Sequence, residues 1–282
     1  MAGRLTIGLL HPGEMGSAVG AAAKMAGAQV LWASHNRSPR TAERAAAEGF
    51  TDRGGLKALV QESEVILSVC PPHAAVDLAR DVAAQGFRGL YLDLNAIAPA
   101  TARTVRDVVE AGGAECVDGG IVGSPPRTPG TTRLYLSGRS APRAAAIFAG
   151  SPLEAIVLGE AIGAASALKM TYAAWSKGTS ALVMAIRAVA AREGVDAALV
   201  AEWERSQPGL AARSAGAAQG SAYKAWRWVG EMEEIAATFE AAGLPGGFHH
   251  AAAEVFRALA GYKDRPTPPS VEQVSKELLG RH

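Results

Sequence analysis

Up to about residue 158, short apolar runs alternate with stretches in which apolar residues recur at helical spacing. Strands are predicted at 5–10, 28–33, 65–69, 89–94, 114–117, 134–137 and 156–158. Helices are predicted at 14–26, 39–49, 72–85 and 99–111. Such alternation, with short connections marked by Gly or Pro, predicts an α/β domain: a mostly parallel sheet with helices on both faces. Beyond residue 158 few β runs remain, and helices are predicted at 161–193, 196–206, 226–242, 247–260 and 271–279. Gln207-Pro208-Gly209, Leu244-Pro245-Gly246-Gly247 and Arg265-Pro266-Thr267-Pro268-Pro269 mark breaks between them. The expected domains are 1–160 and an all-α 161–282. A helix over 161–193 would be ~50 Å long, so its apolar faces call for a partner, and a second subunit is the expected one.

Composition narrows the class. With 49% hydrophobic and 20% charged residues, the 282-residue chain reads as a soluble globular protein. A formal net charge of +1 gives no global field toward nucleic acid or a membrane surface, and neither is expected as a partner. Lys169, Lys177 and Arg187 interrupt the longest apolar stretch, which argues against a membrane span. MAGRLTIGLL, soon interrupted by His11-Pro12, does not read as a secretory signal. Cys70 and Cys116 form no disulfide framework and no metal spacing, which fits a reducing cytoplasm, and no metal site is expected.

The first chemistry is Gly8-Leu9-Leu10-His11-Pro12-Gly13-Glu14-Met15-Gly16, directly after the first apolar run. A strand entering a Gly-rich turn and then a helix lets backbone N–H groups approach a diphosphate at the positive helix end. Gly13 and Gly16 hold the second and third glycine positions of that fingerprint, and His11 stands in place of the first. Pro12 fixes its own backbone and disfavours a helical His11, so rigidity can build the turn.

The second strand bears on which dinucleotide is bound. NAD sites usually place a carboxylate after it for the ribose hydroxyls. Here there is none between Glu14 and Glu43, and the strand ends in Ser34-His35-Asn36-Arg37-Ser38, with Arg40 nearby. Arg37 suits a 2′-phosphate, with Asn36 and Ser38 as further donors, so NADP(H) is preferred to NAD(H). Ser38 before Pro39 is also a helix cap, and both roles are compatible.

Several segments together resemble the β-hydroxyacid dehydrogenase superfamily, which includes 6-phosphogluconate dehydrogenase, hydroxyisobutyrate dehydrogenase and the imine reductases. Residues 8–16 are similar to its opening GxxGxGxMG, and Asn36-Arg37-Ser38 to the NRS/NRT of NADP-using members. Ser68-Val69-Cys70-Pro71 resembles the loop over the cofactor, and the segment from Asp93 through Asn95 to Pro99 the approach to the nicotinamide. Asp118-Gly119-Gly120-Ile121-Val122-Gly123-Ser124 lies where the family carries its substrate motif D-x-P-V-S-G-G. The stretch from Glu231 to His250 is similar to a branch with its own phosphogluconate-dehydrogenase-like C-terminal domain. The resemblance implies a Rossmann-type N-terminal domain and an all-α C-terminal domain on a long interdomain helix. It also implies a homodimer whose active site is shared between subunits.

It further implies hydride transfer between the nicotinamide and a small hydroxy or carbonyl substrate, with Lys169 as general acid/base. Lys169 lies in Ala165-Ser166-Ala167-Leu168-Lys169-Met170, an apolar setting that lowers a lysine pKa toward neutrality. The family's amide after the lysine is missing; Tyr172, one turn on, is the candidate to orient substrate or relay a proton. Val122 replaces the motif serine, Gly123 keeps the close backbone approach, and Ser124 is a substitute hydroxyl. Of His249 and His250, which point to different sides of a helix, His249 is the substrate-binding candidate. Trp203, Trp226 and Trp228 read as packing, Glu231, Glu233 and Glu234 as a solvated face, and Lys177 as a surface or helix-pairing residue. Two rival functions remain: reduction of an imine or ketone on a larger apolar substrate, and a catalytically silent NADP sensor.

Overall fold

Short, fully buried apolar runs pair in parallel to build the first part of the chain. The computed structural model describes residues 3–280. The strands are β1 (Thr6–Leu9), β2 (Gln29–Trp32), β3 (Thr51–Asp52), β4 (Val65–Ser68), β5 (Leu90–Asp93), β6 (Glu115–Gly123), β7 (Thr132–Ser137) and β8 (Leu153–Gly159). They form one eight-stranded sheet in the order β3-β2-β1-β4-β5-β6-β7-β8. All neighbours run parallel except β6 and β7, an antiparallel hairpin. Strand order reverses between β1 and β4, and the crevice beyond their carboxyl ends is where doubly wound sheets bind ligands.

Strand alternation explains why helices cover both faces. Ile7, Leu9, Val30, Trp32, Leu67 and Leu92 belong to one core cluster. Leu31, Ile66, Tyr91 and Cys116, from intervening strand positions, belong to another. The helices between strands are α1 (Glu14–Met25), α2 (Pro39–Ala47), α3 (Leu56–Glu62), α4 (Ala75–Ala84), α5 (Pro99–Ala111) and α6 (Ala141–Ala146).

The rest is helical: α7 (Ala164–Arg192), α8 (Asp196–Ser206), α9 (Leu210–Ser221), α10 (Ala225–Ala241), α11 (Gly247–Ala258) and α12 (Val271–Leu279). The chain forms two compact units, one ending at Met170 and the other starting at Thr171. That division falls inside α7, not in the connection before it. In the second unit Trp228 packs edge-on against Phe256 at 5.2 Å. The buried Arg187 donates to Asp196 Oδ2 (2.7 Å) and Ser214 Oγ (2.9 Å), tying α7 to α8 and α9.

Several expectations need correction. β3, α3, α6 and α9 lie outside the elements predicted from the sequence: β3 has two residues, and Leu210–Ser221 is rich in Ala, Gly and Ser, with no apolar period. β6 continues through the glycines to Gly123, because the strand's packing there needs residues without side chains. Trp226 is exposed, with Lys263 Nζ 4.1 Å above its ring, and is not core packing. Glu231 is not on a solvated face: it forms a largely buried ion pair with Lys177, and Lys177 also lies 5.4 Å from the Trp228 ring.

Candidate active site

The phosphate turn is built from β1 into α1. His11 carries no positive φ, so a glycine is not required at that position. Gly16 has no such freedom: a Cβ there would lie 2.1 Å from the His11 carbonyl oxygen. Gly13 is the opposite case. Its φ of −69° suits any residue, and nothing in the protein comes within 4 Å of where its Cβ would stand. What profits from the missing side chain is a molecule approaching the turn. No side chain caps the α1 N-terminus, and a helix N-terminus favours an anionic group. These features fit a dinucleotide diphosphate. Pro12 is buried, Met15 packs against the core, and Glu14 is exposed.

The tip of β2 is latched to β3. Asp52 Oδ1 accepts from the backbone N–H of Ser34 (3.1 Å) and of Gly54 (2.8 Å). This carboxylate belongs to the next strand and so lies outside the segment after β2 in which the sequence shows none. Asn36 adopts the left-handed conformation at φ 59°, which Asn tolerates, and the Arg37 N–H closes the turn onto Ser34 O (3.0 Å). Asn36 is thus first a turn former, and Ser38 is a cap whose Oγ accepts from the Thr41 N–H (3.3 Å). Arg37 NH1 meets His11 Nε2 at 2.6 Å. Burial and the neighbouring Arg37 charge lower the His11 pKa to about 4, so the imidazole is neutral.

The loops after β4 and β5 are clamped together. Asn95 Oδ1 accepts from the Cys70 N–H (2.6 Å), and Asn95 Nδ2 donates to Ser68 Oγ (3.0 Å) and Asp93 Oδ2 (3.1 Å). Asn95 is buried, and these bonds make its amide a brace for the Cys70 loop. Burial, then the Asp93 charge, push the Cys70 thiol up to about 12. Pro71 beside it is exposed.

The lysine is positioned by β6. Asp118, fully buried, accepts from Ser137 Oγ (2.9 Å), the Gly163 N–H (2.9 Å), the Ser166 N–H (3.1 Å) and Ser166 Oγ (2.6 Å). It therefore fixes the start of α7. Gly120 lets the helix lie on the strand, since a Cβ there would come 2.6 Å from Ala165 O and 2.8 Å from Lys169 Cβ. Lys169 has no carboxylate partner among the described residues, and desolvation lowers its pKa to about 8. Pairing with Glu160 is not seen.

Val122 is buried, and strand alternation puts it on the sheet face that carries Gly120. Gly123, at φ +122°, must be glycine, because a Cβ would stand 2.2 Å from Thr131 O. Ser124 lines an open cleft of ≈ 470 Å³ together with Glu14, Arg127 and Thr128, so substrate-motif and phosphate-turn residues share one cleft.

Two candidates belong to the second unit. Tyr172 is exposed and follows Lys169 by one helical turn. His249 is buried, its ring 4.3 Å from that of Phe239, and among the described residues its Nδ1 has no hydrogen-bond partner.

Comparison with known families decides the class. The NAD binding domain of 6-phosphogluconate dehydrogenase matches residues 6–146, half of the chain. The chain belongs to that family. The matched region lies within the unit that carries the turn described above. A domain of unknown function, DUF1932, matches residues 190–259.

An uncharacterised 28.5 kDa protein of Methanothermus fervidus is 28% identical over 160 residues, covering 56% of this chain and 61% of that protein. The match therefore spans under two thirds of that relative. A solved protein of unknown function, described as structurally similar to 3-hydroxyacid dehydrogenases, is 26% identical at a TM-score of 0.67, covering 92% of this chain and 98% of that one. Mycobacterium tuberculosis 3-hydroxyisobutyrate dehydrogenase shares the fold at a TM-score of 0.71 and 20% identity, over 98% of this chain and 99% of that one. So does an Aspergillus terreus reductive aminase solved with NADPH and ethyl levulinate, at a TM-score of 0.57 and 19% identity, over the full length of both chains.

Proposed function

We propose that the protein is an NADP(H)-dependent oxidoreductase acting on a small hydroxy or carbonyl substrate. The observation that carries this reading is Lys169: unpaired, desolvated to a pKa of about 8, and set on β6 by Gly120 and Asp118. A bound nicotinamide supplies hydride transfer; Lys169 holds the proton at the substrate oxygen, giving it up for reduction and taking it for oxidation. The Gly13/Gly16 turn seats the diphosphate, and Arg37, with Ser38 and Asn36 beside it, receives the 2′-phosphate. Asn95, among the expected cofactor-binding residues, positions the Cys70 loop on the cofactor side. Ser124 supplies the substrate edge of the cleft, next in sequence to Gly123, and Tyr172 and His249 are the substrate-contact candidates of the second unit.

A larger, apolar imine or ketone is the second reading, favoured by the buried Val122 where the family's motif has a hydroxyl. A panel of short hydroxy acids and cyclic imines, assayed by NADPH absorbance, separates the two. Lys169→Met is expected to lower turnover at least ~100-fold. Unchanged turnover removes the lysine from the chemistry, and tight NADPH binding without turnover on any substrate leaves the sensor reading.

We also infer that the protein is a homodimer. Trp175, Leu182, Ile186 and Val189 of α7 are exposed apolar side chains on a helix of 29 residues, ~44 Å long. Sedimentation equilibrium at micromolar concentration tests this, and a monomer there contradicts it.

A further inference from the structure

We propose that His11 is a specificity-determining positioning residue: by holding the Arg37 guanidinium, it presents that cation to a 2′-phosphate and makes the turn selective for the phosphorylated dinucleotide. This rests on the reading above that Arg37 receives the 2′-phosphate.

The contact has a defined polarity. A guanidinium only donates, so at 2.6 Å His11 Nε2 must be the acceptor. The ring proton then sits on Nδ1. Among the described residues that N–H has no acceptor, and neither does Arg37 Nε. Two buried donors left without partners are a poor way to stabilise a turn. They are a reasonable cost for a cation held ready for an anion.

Both ends of the Arg37 side chain are fixed. Its backbone is set by the Ser34–Arg37 turn, with Asn36 left-handed. Its head is set by His11, 26 residues earlier on the neighbouring strand's loop. The His11 contact places the guanidinium at the turn that follows β1. A long side chain pinned in this way loses little further freedom when it grips a phosphate.

The chemistry discriminates in one direction. A 2′-phosphate accepts charge-assisted bonds from the remaining guanidinium N–H groups. An unphosphorylated ribose calls for a carboxylate acceptor, and the carboxylate beside the turn, Asp52, has one oxygen, Oδ1, committed to the Ser34 and Gly54 N–H groups. The histidine is therefore a substitution for glycine with a use, in a turn whose backbone needs no glycine there.

Calorimetric titration of the full chain with NADPH, NADH, adenosine 2′,5′-bisphosphate and 5′-AMP tests this. His11→Gly is expected to weaken NADPH and the bisphosphate at least ~10-fold while NADH and 5′-AMP change less than ~2-fold. His11→Gln, whose side-chain oxygen can accept from Arg37, is expected to keep most of the preference. Equal weakening of NADPH and NADH in both variants would mean that His11 only builds the turn, and an unchanged ratio would mean that it does nothing; either overturns the proposal. If wild-type protein does not prefer NADPH, or Arg37→Gln leaves the preference intact, the Arg37 reading itself fails, and this inference with it.

Discussion

Asp118 accepts both the backbone N–H and the hydroxyl of Ser166, at 3.1 and 2.6 Å, and so fastens the first turn of the lysine-bearing helix to the middle of the sheet. Removing the carboxylate strands four buried donors. Asp118→Ala is expected to cost at least ~3 kcal/mol and Ser166→Ala about 1–3 kcal/mol, measured by urea unfolding. A change below ~0.5 kcal/mol in Asp118→Ala would show that the anchor is dispensable.

The two turn glycines should respond differently to a side chain. At Gly16 the Cβ would collide with the His11 carbonyl, so Gly16→Ala is expected to lower both melting temperature and dinucleotide affinity. At Gly13 the backbone is ordinary and the space open, so Gly13→Val is expected to melt like wild type yet fail to bind. Retained NADPH affinity in Gly13→Val would place the diphosphate elsewhere.

Lys169 ties activity to a stability cost with a definite sign. Its folded pKa, about 8, lies below the ordinary 10.5, so the folded state disfavours the charged lysine. Between those values the unfolded chain binds more protons, and stability rises with pH across that window. Lys169→Met should therefore be more stable than wild type at pH 7, with the gap narrowing as pH climbs from 8 toward 10.5. A variant that is less stable at pH 7 would mean the lysine is solvated. In the wild-type reaction, reduction should slow and oxidation quicken as pH passes about 8.

Cys70 should be inert although it borders the crevice. Burial and the Asp93 charge hold its thiol at about 12, leaving almost no thiolate at pH 8. Native protein is expected to show no rapid reaction with a disulfide reagent, and prompt labelling of Cys70, located by peptide mapping, would contradict its burial.

Much of the N-terminal unit was legible because buried parallel strands are written as contiguous apolar runs and their helices begin at Pro or Gly. Pro99–Ala111 matches its expected bounds for that reason, and in the second unit Asp196–Ser206 matches as well, between Gly194 and Gln207-Pro208-Gly209. What stayed hidden depends on residues distant in sequence. Asp118 reaches Ser166 across 48 residues, and nothing local distinguishes it from any other strand carboxylate. His11 and Arg37 each drew attention separately, yet their contact is a product of strand order. The glycines of β6 fall beyond the strand predicted at 114–117 because their packing partners, Leu94 and α7, come from other elements.

The most direct measurement is calorimetric titration of the wild-type protein with NADPH and NADH. The expected result is saturable binding of about one dinucleotide per chain, with NADPH the tighter ligand. Absence of binding by either dinucleotide to folded protein would contradict the dinucleotide site and the oxidoreductase function built on it.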